Sequence, residues 1–274
     1  MKKSLLFILM LLGAVLLLAA CGDSSEDTTT EENPETAGSS EDLLAKVQEE
    51  GKLVIGTEGT YPPFTFHDDS GELTGFDVEI AREVAERLGV EAEFLETQWD
   101  GMFAGLDSGR FDMVANQVGI REDRLESYDF SDPYITSAAV LVTKEDETEI
   151  TSFEDLEGKT SAQSLTSNYA DIAKEYGAEL TGVEGFNQAI ELLVSDRVDA
   201  TVNDKISVLD FMNQRPDAPI QIADESDEAS QSGLQFRKDS GAIVDEVNKA
   251  LADMIEDGTY DEISQKWFGE NVLE

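Results

Sequence analysis

The chain has 274 residues and sets 60 acidic side chains against 19 basic ones, a formal net charge of −41 at pH 7. So acidic a surface repels phosphate backbones and anionic lipid headgroups alike, which excludes a nucleic-acid partner and a polybasic membrane attachment. One cysteine and one histidine leave no disulfide and no zinc-ligand set, so neither a metal nor another cofactor is expected.

In chain order the first predicted element is a leader. Lys2 and Lys3 make a basic start, Leu5 to Leu18 an apolar run, and Leu18-Ala19-Ala20-Cys21 a close of small residues. This reads as a secretory signal over residues 1–20 with a lipoprotein-type cleavage site, the thiol of Cys21 being the group that takes lipid. The apolar run is shorter than the ~20 residues a membrane-spanning helix needs, whereas several acyl chains on Cys21 would anchor the chain stably. Residues 21–40 are small, polar and acidic, and cannot bury enough apolar surface to offset ordering. As a flexible tether they would span about 24 Å root-mean-square. The expected location is the outer face of the cytoplasmic membrane, which is the periplasmic side in a two-membrane host.

The folded part begins near residue 41. Lys52 to Thr57 reads as a strand, Phe64 to Phe66 as a second extended piece, and Asp68-Asp69-Ser70-Gly71 as a turn. From Phe76 to Leu88 the apolar Val78, Ile80, Ala81, Val84, Ala85 and Leu88 recur at helical spacing, with Asp77, Glu79, Arg82, Glu83 and Glu86 outside the stripe. Glu79, Glu83 and Glu86 read as a solvent face rather than as a glycosidase carboxylate pair. Strands follow at Glu91–Leu95, Phe111–Ala115 and Ala138–Thr143, with a helix at Asp100–Leu106. The pattern then restarts with a strand at Lys159–Gln163, helices at Ser167–Tyr176 and Phe186–Val194, a strand at Val198–Val202 and a helix at Lys205–Phe211. A strand at Leu234–Phe236 and helices at Ser240–Ile255 and Tyr260–Trp267 finish the chain. Two α/β units and a helical return predict two lobes with ligand chemistry at the C-terminal ends of strands.

Gly75-Phe76-Asp77-Val78-Glu79-Ile80, with Val84-Ala85 and Leu88, resembles the signature of extracellular solute-binding proteins that feed polar amino acids to ABC importers. Gly56-Thr57-Glu58-Gly59-Thr60-Tyr61-Pro62-Pro63-Phe64, Trp99-Asp100-Gly101-Met102, Asp129-Phe130-Ser131-Asp132-Pro133-Tyr134 and Trp267-Phe268-Gly269 extend the resemblance from Lys52 to Gly269. Within that family, Asn116-Gln117-Val118, Ala162 to Tyr169, Phe186 to Ala189 and Asn203-Asp204-Lys205 look most like the cystine-binding branch. The resemblance implies an α/β, two-lobed periplasmic-binding-protein-like (type II) fold with a two-stranded hinge. Its crossings would fall near Thr143 and Gln235, giving one lobe at 41–143 plus 236–274 and the other at 144–235.

It also implies site residues. Arg124 matches the arginine that takes a ligand α-carboxylate, for which a planar fork is suited; by position alone it reads as a surface arginine beside Glu122 and Glu126. Asp204, with Asn203, matches the acid that takes the α-ammonium, and it is equally a helix N-cap. Thr166, Ser167 and Asn168 open a helix whose N-terminus favours a carboxylate or is simply capped. Tyr61 and Trp99 match aromatic walls, Trp99 as a partly exposed one among polar neighbours. Glu58, Asn116, Gln117 and Gln163 are candidates for the far polar end of the ligand. Gly119 departs from the pattern, standing where many relatives carry a hydroxyl, and opens space for a longer, double-headed amino acid. His67 reads as a turn histidine.

The expected protein is a monomeric, membrane-tethered receptor, not an enzyme, that captures an amino acid such as L-cystine by lobe closure and presents it to an ABC permease. Receptors for glutamine or arginine and an amino-acid sensor are the alternatives. A prephenate- or arogenate-type dehydratase on the same fold is a more distant one, with Glu58 as its general acid.

Overall fold

The computed structural model describes residues 40–273. The predicted leader, Cys21 and the tether up to residue 39 lie outside the described residues.

The first part of the chain runs α1 (Ser40–Glu50), β1 (Lys52–Thr57), β2 (Thr60–Tyr61), β3 (Thr65–His67), β4 (Leu73–Thr74), α2 (Phe76–Arg87), β5 (Glu91–Glu96), α3 (Trp99–Asp107), β6 (Met113–Val114), α4 (Glu122–Leu125) and β7 (Tyr128–Phe130). A long strand, β8 (Ile135–Lys144), leads into β9 (Thr160–Gln163), α5 (Asn168–Glu175), β10 (Glu179–Gly182), α6 (Phe186–Val194), β11 (Thr201–Asp204) and α7 (Lys205–Gln214). A second long strand, β12 (Ile220–Ser232), leads back to β13 (Gln235–Arg237), α8 (Gly241–Asp257) and α9 (Thr259–Phe268).

The first lobe is built on a five-stranded sheet ordered β5-β1-β6-β13-β7, in which β1 is parallel to β5 and β6 while β13 is antiparallel to β6 and β7. The β2-β3-β4 meander lies beside it. The second lobe holds an antiparallel sheet ordered β11-β8-β12 and a parallel pair β10-β9, joined by a bridge between Ser161 and Ala200. β1 is almost entirely buried, as a central parallel strand should be, and α2 turns Val78, Ile80, Ala81, Val84 and Ala85 inward as its spacing predicts. Asp77 is a correction: it is placed outside the stripe by periodicity, yet it is fully buried.

Other departures have local causes. Residues 198–200 are not yet strand, because the Asp199 carboxylate accepts the Thr160 N–H and hydroxyl, both at 2.7 Å, so β11 begins at Thr201. β6 is shorter than the predicted Phe111–Ala115 because Asp112 bends inward to accept the Val54 N–H at 3.2 Å and the Lys46 ammonium at 2.8 Å. β12 escapes prediction because one side of it faces solvent and its register shifts twice against β8, so Asp, Glu and Ser fill it. Thr143 lies within the β8 ladder opposite Gln221, and Gln235 is the first residue of β13.

Candidate functional site

A cavity lies between the lobes at the C-terminal ends of β1, β9 and β11. Glu58, Thr60, Tyr61, Trp99, Asn116 and Gln117 line it from the first lobe, and Gln163, Ser167, Asn168 and Asn203 from the second. Nine of these ten are residues singled out from the sequence; Thr60 is not. Tyr169 and Phe186 are further parts of the wall and also went unassigned. Both sit inside motifs read as branch markers, but an aromatic following a polar run carries no signal for which way it faces.

Strand ends deliver the polar groups. Glu58 leaves β1 and is held by Asn116, whose Nδ2 donates to Glu58 Oε2 at 2.6 Å while its Oδ1 accepts the Glu58 N–H at 2.7 Å. Burial pushes the Glu58 carboxyl up to about 7, against the lowering effect of Asn116 and the Trp99 backbone. Gln117 takes a left-handed backbone with φ 54°, an uncommon conformation for a residue with a side chain. Its Nε2 is buried with no partner, and Gln117 is one of the residues that line the cavity.

Asp204 ends β11 and caps α7, its Oδ1 accepting the Ile206 N–H at 2.8 Å and the Ser207 N–H at 3.3 Å. Oδ2 lies 3.4 Å from the Tyr169 hydroxyl. Asp204 itself does not reach the cavity wall; it stands fully buried behind Asn203 and Tyr169, and burial raises its carboxyl to about 6. Ser167 caps α5 by accepting the Ala170 N–H at 3.1 Å, and it lines the cavity as well.

Arg124 is buried on α4. Its Nη1 donates to the Gly119 carbonyl at 3.1 Å, and its guanidinium carbon lies 5.6 Å from the Trp99 ring centroid and 5.3 Å from that of Phe103. Burial lowers it to about 10, with Arg121 adding to the effect. Arg124 is absent from the enclosed wall and adjoins it through Trp99. Trp99 corrects its expectation: it opens α3 only 6 % exposed, packed with Met102, Leu106 and Phe111, and its Nε1 has no partner. Gly119 and Thr166 also stand off this wall; Gly119 faces a wider neighbouring cleft. His67 lies away from the cavity between two acceptors, the Gly71 carbonyl at 3.0 Å and Glu96 at 2.9 Å.

The structure is closed. Tyr61 OH donates to Asn203 Oδ1 at 2.6 Å and Ser207 Oγ to the Pro62 carbonyl at 2.8 Å. On the other flank the Thr166 hydroxyl donates to Asp100 at 2.7 Å, and Arg121 pairs with Asp171 at 2.8 Å. Each of these bonds joins one lobe to the other.

Two lobes, a cleft walled by both and polar groups at strand ends define a ligand-binding receptor. The chain belongs to the bacterial extracellular solute-binding proteins, family 3, whose model matches residues 53–270. It is 55 % identical over 232 residues to the L-cystine-binding protein TcyA of Bacillus subtilis, covering 84 % of this chain and 86 % of that one. Among solved structures it is similar to the unliganded, open L-cystine solute receptor of Neisseria gonorrhoeae, at 44 % identity and TM-score 0.56 over 85 % of this chain and 99 % of that one. An ancestral arginine-binding protein bound to arginine gives 39 % identity and TM-score 0.75, covering 80 % of this chain and 98 % of that one. The more similar sequence superposes less well. A reorientation of lobes produces that pattern, and in this chain bonds cross between the lobes on both flanks of the cleft. Among the described residues no helix is long and apolar enough to cross a membrane.

Proposed function

We propose that this chain is the receptor of an amino-acid ABC importer and that its ligand is L-cystine. One observation carries the reading. The cleft holds a half-buried carboxylate, Glu58, and behind its Trp99 wall a buried guanidinium, Arg124; among the described residues the first has no cationic partner and the second no carboxylate partner. Burying either charge alone is costly, and a zwitterion supplies the missing partner to both. Arg124 takes the α-carboxylate, Asn203 backed by Asp204 takes the α-ammonium, and Glu58, Gln117 and Gln163 meet the far end. Tyr61, Trp99, Tyr169 and Phe186 desolvate the linker between the two ends. The name and identity of the Bacillus relative support cystine over other amino acids.

Lobe closure follows. Contacts from both lobes coexist only when closed, so ligand shifts the population toward that form; a change from mostly open to mostly closed takes about 5.5 kcal/mol of differential affinity. The hinge is the pair β8 and β12, which carry the chain from the first lobe to the second and back. Cys21 carries the lipid that holds the monomeric receptor beside its permease. The Glu58 carboxylate, held by an amide, serves as a hydrogen-bond acceptor rather than as a catalytic acid.

Calorimetric titration tests the reading, with L-cystine before and after reduction of the ligand and with glutamine and arginine alongside. Tight binding lost on reduction is expected. Binding of arginine or glutamine instead would discard cystine and keep the receptor; product formation from prephenate or arogenate would overturn the receptor.

A further inference from the structure

Asp77 is fully buried, in the first turn of the signature helix, and makes no ion pair among the described residues. Its Oδ2 accepts two hydrogen bonds, from the Gln117 backbone N–H at 2.6 Å and from the Tyr134 hydroxyl at 2.9 Å. Gln117 is the cavity-wall residue with the left-handed backbone and the unpartnered Nε2. Its Oε1 accepts the Ser232 hydroxyl at 2.9 Å. Tyr134 and Ser232 are also tied to each other, the Tyr134 N–H donating to the Ser232 carbonyl at 3.0 Å. Tyr134 immediately precedes β8 and Ser232 is the last residue of β12, so this closed ring of bonds spans the point where both long strands meet the first lobe.

We propose that Asp77 and Ser232 are positioning residues that hold Gln117 in its strained conformation, aim its free Nε2 at a ligand acceptor and couple the cavity wall to both hinge strands. The left-handed backbone costs free energy that the surroundings must offset, and here the offset is one buried carboxylate oxygen. With Oε1 taken by Ser232, the amide has one orientation, which leaves Nε2 as the free donor of this wall residue. A ligand that engages Nε2 pulls on a side chain anchored to the end of β12, which converts occupancy into a bias on the hinge. The assignment rests on the receptor reading above, but the ring of bonds involves protein groups alone and is tested separately.

The experiment is a mutant cycle on the full chain, with L-cystine as probe and dissociation constant, off-rate and melting temperature as readouts. Ser232→Ala is expected to raise Kd roughly 5-fold through a faster off-rate, as loss of one neutral hydrogen bond does, and to have no further effect in a Gln117→Ala background. Equal losses in both backgrounds, or no loss in either, would overturn the proposal. Asp77→Asn keeps an acceptor oxygen for both donors and is expected to bind within about 3-fold of wild type, whereas Asp77→Ala loses roughly 10-fold or more. Asn and Ala variants that fold and weaken binding alike would also overturn it. Should the wild type fail to bind L-cystine, the ligand reading falls and hydrogen exchange without ligand decides the rest. Tyr134→Phe and Ser232→Ala are expected to speed exchange at the Gln117 amide and at the start of β8, and unchanged exchange refutes the ring.

Discussion

Replacing Arg124 by alanine should weaken ligand binding while leaving the fold at least as stable. Arg124 is 7 % exposed, and its one side-chain hydrogen bond among the described residues, to the Gly119 carbonyl, leaves most of its donors free. Its aromatic neighbours Trp99 and Phe103 hold the cation without neutralising it. Burial lowers its pKa to about 10, so the empty protein keeps this charge at a cost. Without Arg124 the ligand carboxylate enters a desolvated cleft unpaired, a loss of about 2–5 kcal/mol, which is about 30- to several-thousand-fold in Kd. Arg124→Lys should recover only part of this, because a point charge cannot reproduce the bidentate fork. Titration calorimetry reads the affinity and thermal unfolding without ligand reads the stability. Unchanged affinity in Arg124→Ala, or a melting temperature that falls along with the affinity, would refute the reasoning.

Three other predictions follow the same geometry. Asp100→Ala removes the acceptor of the Thr166 hydroxyl and N–H across the cleft, and should raise Kd roughly 3- to 10-fold through the off-rate, read by stopped-flow, with the on-rate nearly unchanged. Gly119→Ser should fold normally, since an added Cβ would meet Arg124 Nη1 at an ordinary 3.6 Å; a crystal structure with displaced α4 would contradict that. Stability and affinity should respond to pH with opposite signs. Burial raises the folded-state carboxyls of Asp77 and Glu58 to about 7 and that of Asp204 to about 6, so between about pH 4 and 7 the native state holds more protons than the unfolded chain. Unfolding free energy should therefore be greatest at the acid end of that window and fall as pH rises through it, each group contributing on the order of 3 kcal/mol. Ligand affinity, if Glu58 binds an ammonium as carboxylate, should instead weaken toward ten-fold per pH unit below about 7. Denaturant titration and calorimetry at pH 5, 6 and 7.5 check both signs.

Much of this protein is legible in one dimension because its signals are local. The helix over Phe76–Arg87 and the buried strand Lys52–Thr57 follow from apolar spacing alone, and the motifs around Glu58, Asn116, Ser167 and Asn203 fall at strand ends or helix starts where a cleft must lie. Local pattern could not say what those motifs face. Asp77 reads as a solvent residue by helical phase, yet α2 begins against the end of β6 and the start of β8, which close over it. β12 carries no strand signal of its own, because only its pairing with β8 makes it a strand. Whether Trp99 is wall or core is likewise a question about neighbours, and it proves to be both. Periodicity and capping are short-range physics that a sequence records directly. The closed cleft, the bonds that cross it and the ring joining Gln117 to the hinge depend on residues far apart in the chain, as Asp77, Gln117 and Ser232 are, and those contacts exist only once the chain has folded.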